Sequence, residues 1–421
     1  MRRLCSALGV LAIASSVVPA CAPAEDDDDM TAGDAGDASS GDASGDDDSG
    51  AGGGGFHVVD LIDTADGIQR VGVDTVNAIR CTDPAHCVIG TYNFGDGGAL
   101  LATSDGATLE EVRTAEVQFL AIEDTGAGWI ALIDQASPFL MAEGDPTDPA
   151  SWQARDVGLN ETDDDFEVLN SQEFVRAGSG GDWTYATSGI IWHADQAPST
   201  TTEWSGLWSP ERVPPYPGDW DDLKLADDTI CDSDPDNHFS PDFGQLGFAS
   251  ADLAFVIYPA GGIPQGGSDP PGACVSRDGG ATFHQVPFPG LTPEEGGPYA
   301  IFCVDADHCW GYGVHPYSGD PPFVYYSTDA SAPSATWQRA QAPGDSRSRT
   351  PREIRFTPDG QHGWLVGEDN LAWKSSDGGA TWTDVGPELE ALVDELDWTS
   401  VFPLDADHVW LGGSRGILVA H

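Results

Sequence analysis

The chain has 421 residues, with 17 Lys and Arg against 70 Asp and Glu, and a formal charge of −53. Only two of the cations are lysines, Lys224 and Lys374, so the clustered positive charge that phosphate binding needs is missing and nucleic acid is excluded as a partner. Glycine at 52, proline at 30 and tryptophan at 14 suit many short strands joined by tight turns.

From the N-terminus, Arg2 and Arg3 precede an apolar run from Leu4 to Val18 that ends in Val18-Pro19-Ala20-Cys21. A charged start, a short apolar stretch and a small-residue cleavage site predict an export signal over residues 1–20, too short to span a membrane. Residues 21–55 are mostly Asp, Gly, Ser and Ala, including the acidic run Asp26 to Asp29. Such a segment has little to bury, so it predicts a solvated, self-repelling spacer, and the folded body is expected over 56–421.

The organising feature of that body is a corner, Ser375-Ser376-Asp377-Gly378-Gly379-Ala380-Thr381-Trp382. The aspartate can accept backbone N–H groups across the turn, the glycines supply positive φ, and Thr381 and Trp382 re-enter a strand. The corner returns as Ser276-Arg277-Asp278-Gly279-Gly280-Ala281-Thr282-Phe283. It recurs stretched from Ser327 and Asp329 to Thr336-Trp337, and shortened over Ser104-Asp105-Gly106-Ala107-Thr108-Leu109. Around the best copy, Ile354-Arg355-Phe356, Gly363–Gly367, Leu371–Ser375 and Trp382–Val385 read as four antiparallel strands, one propeller blade. The same order is visible over 78–113, 119–157, 172–206 and 300–341. The interval from Trp204 to Phe283 holds one blade plus an insertion.

Trp398–Ala420 supplies three further strands but no fourth. Phe56-His57-Val58-Val59 can supply it, echoing the fourth-strand text Phe283-His284-Gln285-Val286. The expectation is therefore an all-β chain: a single seven-bladed β-propeller of four-stranded antiparallel blades, closed by N- and C-terminal strands in one blade. Six or eight blades stay open, because the middle of the chain repeats poorly.

Of eight cysteines, Cys5 falls in the export signal and Cys21 at its end. The remaining six predict disulfides in an exported chain. Cys81 with Cys87, and Cys303 with Cys309, flank five residues each and should face one another at a hairpin mouth. Cys231 and Cys274 are left to pair by elimination. Zinc is the competing expectation, since His86 and His308 each precede a cysteine. His362 and His408 fill the same column without a cysteine, which assigns the histidine to the repeat.

Two stretches depart from the repeat. The insertion carries Trp208, Pro214, Pro215, Tyr216, Pro217 and Trp220, aromatics that can stack on sugars or grip a peptide, or pack against their own blade. Asp232, Asp234 and Asp236 alternate like the first half of an oxygen-ligand calcium loop. Phe243 occupies position twelve, which rules out an EF-hand. A looser calcium site is the one cofactor expectation in a chain otherwise read as cofactor-free, with a plain acidic loop as the alternative.

The sequence around Cys21 resembles the lipobox of bacterial lipoproteins, which implies that Cys21 becomes the lipid-modified first residue and tethers the protein to the cell envelope. Ala22 carries no retention signal, which points to the outer membrane or surface. The Ser-x-Asp-Gly-Gly-x-Thr-Trp corner resembles the Asp-box of bacterial neuraminidase repeats. The whole unit is similar to propellers of the photosystem II stability and assembly factor type. In those families the corner is structural, which assigns Ser276, Asp278, Gly280, Thr282, Ser327, Asp329, Trp337, Ser375, Asp377, Gly379, Thr381 and Trp382 to the scaffold and not to catalysis. Sialidases grip a carboxylate with three arginines beside a Tyr–Glu nucleophile. Arg80, Arg176 and Arg355 lie on or beside inner strands, but no Arg-Ile-Pro motif or Tyr–Glu pair is visible. The expectation is thus a monomeric, non-enzymatic propeller that binds a protein or glycan, with a sialidase-like or other glycoside hydrolase using face carboxylates as the alternative.

Overall fold

The fold comes from a computed structural model, which describes residues 55–59, 75–93, 97–115, 119–124, 128–133, 139–142, 144–155, 173–177, 182–187, 190–194, 205–208, 245–250, 252–258, 272–278, 284–291, 298, 300–313, 321–344, 349–393, 396–416 and 418–421. The chain divides into two units, Met1–Gly52 and Gly53–His421, and all described residues belong to the second.

Among the described residues the unit is nearly all β. Strand β1 is His57–Val58. Strands β2 to β5 are Thr75–Asp83, His86–Tyr92, Gly98–Thr103 and Glu110–Ala115, and β6 to β9 are Phe119–Asp124, Trp129–Ile133, Phe139–Ala142 and Trp152–Arg155. Strands β10 to β13 are Glu173–Ala177, Asp182–Thr187, Ile190–Ala194 and Ser205–Trp208, and β14 to β17 are Gln245–Phe248, Ala254–Tyr258, Gly272–Ser276 and His284–Gln285. Strands β18 to β21 are Ala300–Cys303, Cys309–Gly313, Phe323–Ser327 and Gln338–Arg339, and β22 to β25 are Pro351–Phe356, Gly363–Gly367, Ala372–Ser375 and Thr383–Asp384. After a short helix α1, Gly386–Glu390, come β26 to β28, Trp398–Pro403, Val409–Gly413 and Leu418–Ala420. Each group of four forms an antiparallel sheet in chain order, and β26 to β28 take β1 as their fourth strand. His57 faces Ala420, Val58 faces Val419, and the Val59 N–H donates to the Leu418 carbonyl (3.0 Å).

The corners fold because each conserved-looking group in the text has its own hydrogen bond. The Ser375 hydroxyl donates to Asp377 Oδ1 (2.9 Å) and accepts from the Gly379 N–H (2.9 Å). Asp377 Oδ1 takes the Thr381 N–H (2.9 Å) and Oδ2 the Thr381 hydroxyl (2.7 Å). Gly378 and Gly379 sit at φ +71° and +85°, where side chains are rarely tolerated. The longer corner from Ser327 is closed the same way, with Asp329 accepting the N–H (2.7 Å) and hydroxyl (2.9 Å) of Thr336. In the shortened copy the hydroxyl comes from Thr103, not Ser104: Thr103 Oγ1 bonds Asp105 Oδ1 (3.0 Å) and accepts from the Gly106 N–H (3.0 Å). A hydroxyl two places before the aspartate is what reaches, and Ser104 stands one place too near. Ser276 bonds Asp278 (2.8 Å), while Gly280 and Thr282 lie outside the described residues.

Among the described side chains, apolar cores lie between five pairs of successive sheets. One core joins Trp310, Tyr312 and Val324 to Ile354, Phe356, Leu365 and Trp373, and another joins Trp410, Leu418 and Val59 to Val76, Ile79 and Leu101. The first strands lie nearest one another: β2 packs against both β26 and β6, β10 against β6 and β14, β14 against β18, and β22 against β26. Four of them carry a bulge at a matching place, between Val76 and Ala78, Phe119 and Ala121, Pro351 and Glu353, and Trp398 and Ser400. The extra residue is turned off the ladder, and its side chain can then reach sideways. Asn77 Nδ2 donates to the Phe119 carbonyl (3.1 Å), and the Thr399 hydroxyl to the Val76 carbonyl (2.6 Å). Each bond therefore latches one sheet to the bulge of the next.

Candidate functional site

Because the sheets are antiparallel, the turn from first to second strand and the corner from third to fourth lie at one end. The connections from second to third strand, and from one sheet to the next, lie at the other. At the corner end the two turns dock on each other: the N–H groups of Gly106, Ala330 and Gly378 donate to the carbonyls of Ala85, Asp307 and Gln361 (3.0 Å each).

The first turns share an Asp-x-x-His motif. Asp83, Asp305 and Asp405 each precede a histidine by three residues. In each turn Oδ1 accepts the backbone N–H groups two and three residues on (2.8–3.0 Å), and the His86, His308 or His408 Nδ1 lies within 2.8–3.0 Å of the carboxylate. The carboxylates are consumed by the turn. Side-chain bonding from His86, then the Ala85 N–H, holds Asp83 below the usual carboxylate range. Partial burial pushes Asp305, Asp377 and Asp405 upward, but hydrogen bonds outweigh it and leave all three depressed. Asp329 is lowered chiefly by the Thr336 N–H, and Asp105 strongly by the N–H groups of Thr108 and Ala107.

Cys81 with Cys87 and Cys303 with Cys309 are disulfide-bonded, each pair directly opposed across its hairpin at Cα separations of 4.0 and 4.1 Å. His86 and His308 turn to aspartate beside them, and among the described residues no three His, Cys, Asp or Glu are placed to hold a metal ion. Cys274 is also disulfide-bonded, while Cys231 lies outside the described residues.

Along the first strands one register position carries a half-buried charge or ring in sheet after sheet: Arg80, Glu123, Phe302, Arg355 and Phe402, opposite Val88, Ile130, Trp310, Trp364 and Trp410 respectively. Arg176 holds the matching place opposite Trp183. Arg80 is ion-paired with Glu123 of the next sheet (2.5 Å), and its guanidinium lies 5.3 Å from the Phe402 ring centre of the preceding one. Arg355 is ion-paired with Glu353 (2.7 Å) and lies 5.0 Å from the Phe302 ring centre. The second oxygen of Glu353 accepts the Val401 N–H (2.7 Å). These four charged side chains are only 17 to 22% exposed. Neither arginine presents an uncommitted fork of the kind that grips a substrate carboxylate, because a carboxylate of this chain already fills that role. Tyr312 and Tyr325 donate to the Arg352 and Pro289 carbonyls (2.8 and 2.9 Å), not to a glutamate.

Trp208 corrects one expectation. It is the last residue of β13, paired with Ile191, and so belongs to the sheet and not to the insertion. Tyr216, Trp220, Asp232, Asp234 and Asp236 lie outside the described residues, as does Cys21. In the sequence the first five fall between β13 and β14.

No family model matches the sequence, and no curated protein matches it. Solved structures do. YCF48 from Cyanidioschyzon merolae superposes with a TM-score of 0.55 at 14% identity, over 87% of this chain and 98% of that one. A structure of YCF48 bound to a D1 peptide superposes at 0.50 with 16% identity, over 87% and 96%. At such identities the likeness is one of fold alone, and the fold is that of a β-propeller of four-stranded antiparallel sheets.

Proposed function

We propose that residues 56–421 form one closed ring of seven blades that binds a protein partner at the end opposite the corners, and that a lipid on Cys21 and the acidic spacer over 21–55 hold it at the cell envelope. The ring is supported by the strand pairing of β1 with β28 and by the packing of β26 against both β22 and β2. Binding is favoured over catalysis by one observation above the others. The corner end repeats a single design whose polar groups are used up within the turns, whereas the opposite end receives every long connection, 156–172, 209–244 and 259–271 among them. Arg80 and Arg355 are committed within the chain, which leaves those connections as the variable surface. That YCF48 has been captured with a D1 peptide supports a peptide or protein as the class of partner.

The test is cross-linking and capture from membrane fractions with the full chain. Tyr216→Ala with Trp220→Ala is expected to lose the captured partner, and Asp105→Asn, at the corner end, to keep it. Turnover of a fluorogenic glycoside that disappears with Glu123→Gln or Glu353→Gln would replace binding with hydrolysis. Tethering is checked by incorporation of a labelled fatty acid, expected in the native chain and absent in Cys21→Ser.

A further inference from the structure

Strand β1 differs from the other short fourth strands in how it reaches its place. Strands β17, β21 and β25 follow their own corners directly, while β1 reaches its sheet only through residues 60–74 and all the other sheets. Its hold on β28 is a two-residue pairing and the Val59 N–H bond to Leu418. Side-chain anchoring is confined to its flanks. The Phe56 ring lies edge-on to Trp364 of the neighbouring sheet (5.9 Å between centres) and to His421 (4.8 Å). Val59 is 2% exposed in the core with Trp410, Leu418 and Leu101. Between them His57 and Val58 face outward. The occupied slot thus reads an aromatic residue, two residues of any kind, and an aliphatic one, with main-chain bonds in between. The same text stands as Phe283-His284-Gln285-Val286, where Val286 repeats the last bond by donating to Ala273 (2.8 Å).

We propose that the outer edge of Leu418–Ala420 is a strand-addition site for an extended segment of another protein with an aromatic residue and an aliphatic residue three places later, and that Phe56–Val59 is its built-in competitor. The chain's own segment is covalently joined and so competes at the effective concentration its connection sets, and an external segment succeeds where β1 is weakened or locally abundant partners outcompete it. This surface is separate from the loop end assigned above and stands whether or not that assignment holds.

The probe is a fluorescent peptide of residues 55–62, read by anisotropy against the full chain. Phe56→Ala with Val59→Ala, verified as folded by circular dichroism, is expected to bind it at least tenfold more tightly than the native chain does. A peptide with alanine at its aromatic and aliphatic places should lose binding, and one changed only at the middle pair should keep it. Should the double variant not fold, a protease site inserted within 60–74 serves instead: after cleavage, excess peptide is expected to displace the N-terminal fragment. No binding to the folded variant, equal binding to both chains, equal sensitivity to the middle pair, or a cleaved fragment that peptide does not displace would each overturn the proposal.

Discussion

Gly378 and Gly379 are neighbours with nearly the same backbone, yet replacing each by alanine should have different consequences. Both have positive φ, so either substitution costs about 1 to 2 kcal/mol of left-handed strain. A Cβ on Gly378 would meet only the Gly360 carbonyl at 3.5 Å, an ordinary contact. A Cβ on Gly379 would sit 2.5 Å from Trp310 Nε1 and 2.7 Å from its Cδ1. The indole cannot give way cheaply. It is 1% exposed, stacked on Phe356 at 3.6 Å between centres, and bonded through Nε1 to the Gly378 carbonyl (2.8 Å). Displacing it forfeits that bond, about 1 kcal/mol, and part of an aromatic pair worth about 0.5–1.5 kcal/mol. Gly379→Ala should therefore cost about 3 to 4 kcal/mol in urea unfolding of the full chain, and Gly378→Ala about 1 to 2. In a Trp310→Phe background, which lacks the clashing Nε1, the cost at 379 should fall toward that at 378. Equal costs in the native background, or an undiminished cost beside Phe at 310, would refute a corner wedged by the preceding sheet.

Removing the disulfide by Cys303→Ala with Cys309→Ala should lower stability by about 2 kcal/mol, the chain-entropy value for so short a loop, without opening the turn. The turn at Asp405 keeps the same bonds with Pro403 and Val409 in the cysteine places, so hydrogen exchange at the Asp307 and His308 N–H groups should change little. Asp329, Asp377 and Asp405 have folded pKa values below their unfolded ones, so the unfolded state takes up protons first on acidification. Their contribution is complete above about pH 4 and is lost as pH falls through the depressed values. Urea midpoints should drop steeply below pH 4, and Asp377→Asn should flatten that limb while lowering the plateau. Thr399→Val removes the bond to the Val76 carbonyl and should cost about 1 kcal/mol, with the exchange rates of β2 and β26 rising more than those of β22.

What the sequence disclosed and what it hid divide along contact range. The corner was readable because its parts lie within eight residues and each has a local bond: Ser375 to Asp377, Asp377 to Thr381, positive φ at the glycines. Gly363–Gly367 has the limits its text implied, since turns punctuate it on both sides. The aspartate of the histidine turns was within reach too, as the three-residue spacing at 83, 305 and 405 was present in the text. The cysteine that follows His86 and His308 is the more conspicuous mark in the text, and His408 lacks it. Arg80 with Glu123 was not readable, because 43 positions separate partners that only sheet packing brings together. The bulges at Asn77 and Thr399 carry no composition signal either. They follow from how first strands converge, which depends on every sheet at once.

That division bears on where recognition can evolve. At the corner end, Trp310 bonds the Gly378 carbonyl, Arg277 the Ala330 carbonyl (3.0 Å) and Lys374 the Ala406 carbonyl (3.1 Å), each side chain reaching from one sheet to a turn of the next. A substitution there is felt by two sheets, so this end is constrained by the scaffold. The opposite end is tied as well, Tyr325 donating to the Pro289 carbonyl (2.9 Å) and the Asp369 N–H to Asp397 Oδ1 (3.1 Å), but the sheet-to-sheet connections there range from 116–118 to 209–244. Between Trp204 and Phe283 the text still supplies strands β14 to β16, and what breaks the repeat is the length of 209–244 and 259–271, because strand pairing fixes the strands and not the length of what joins them.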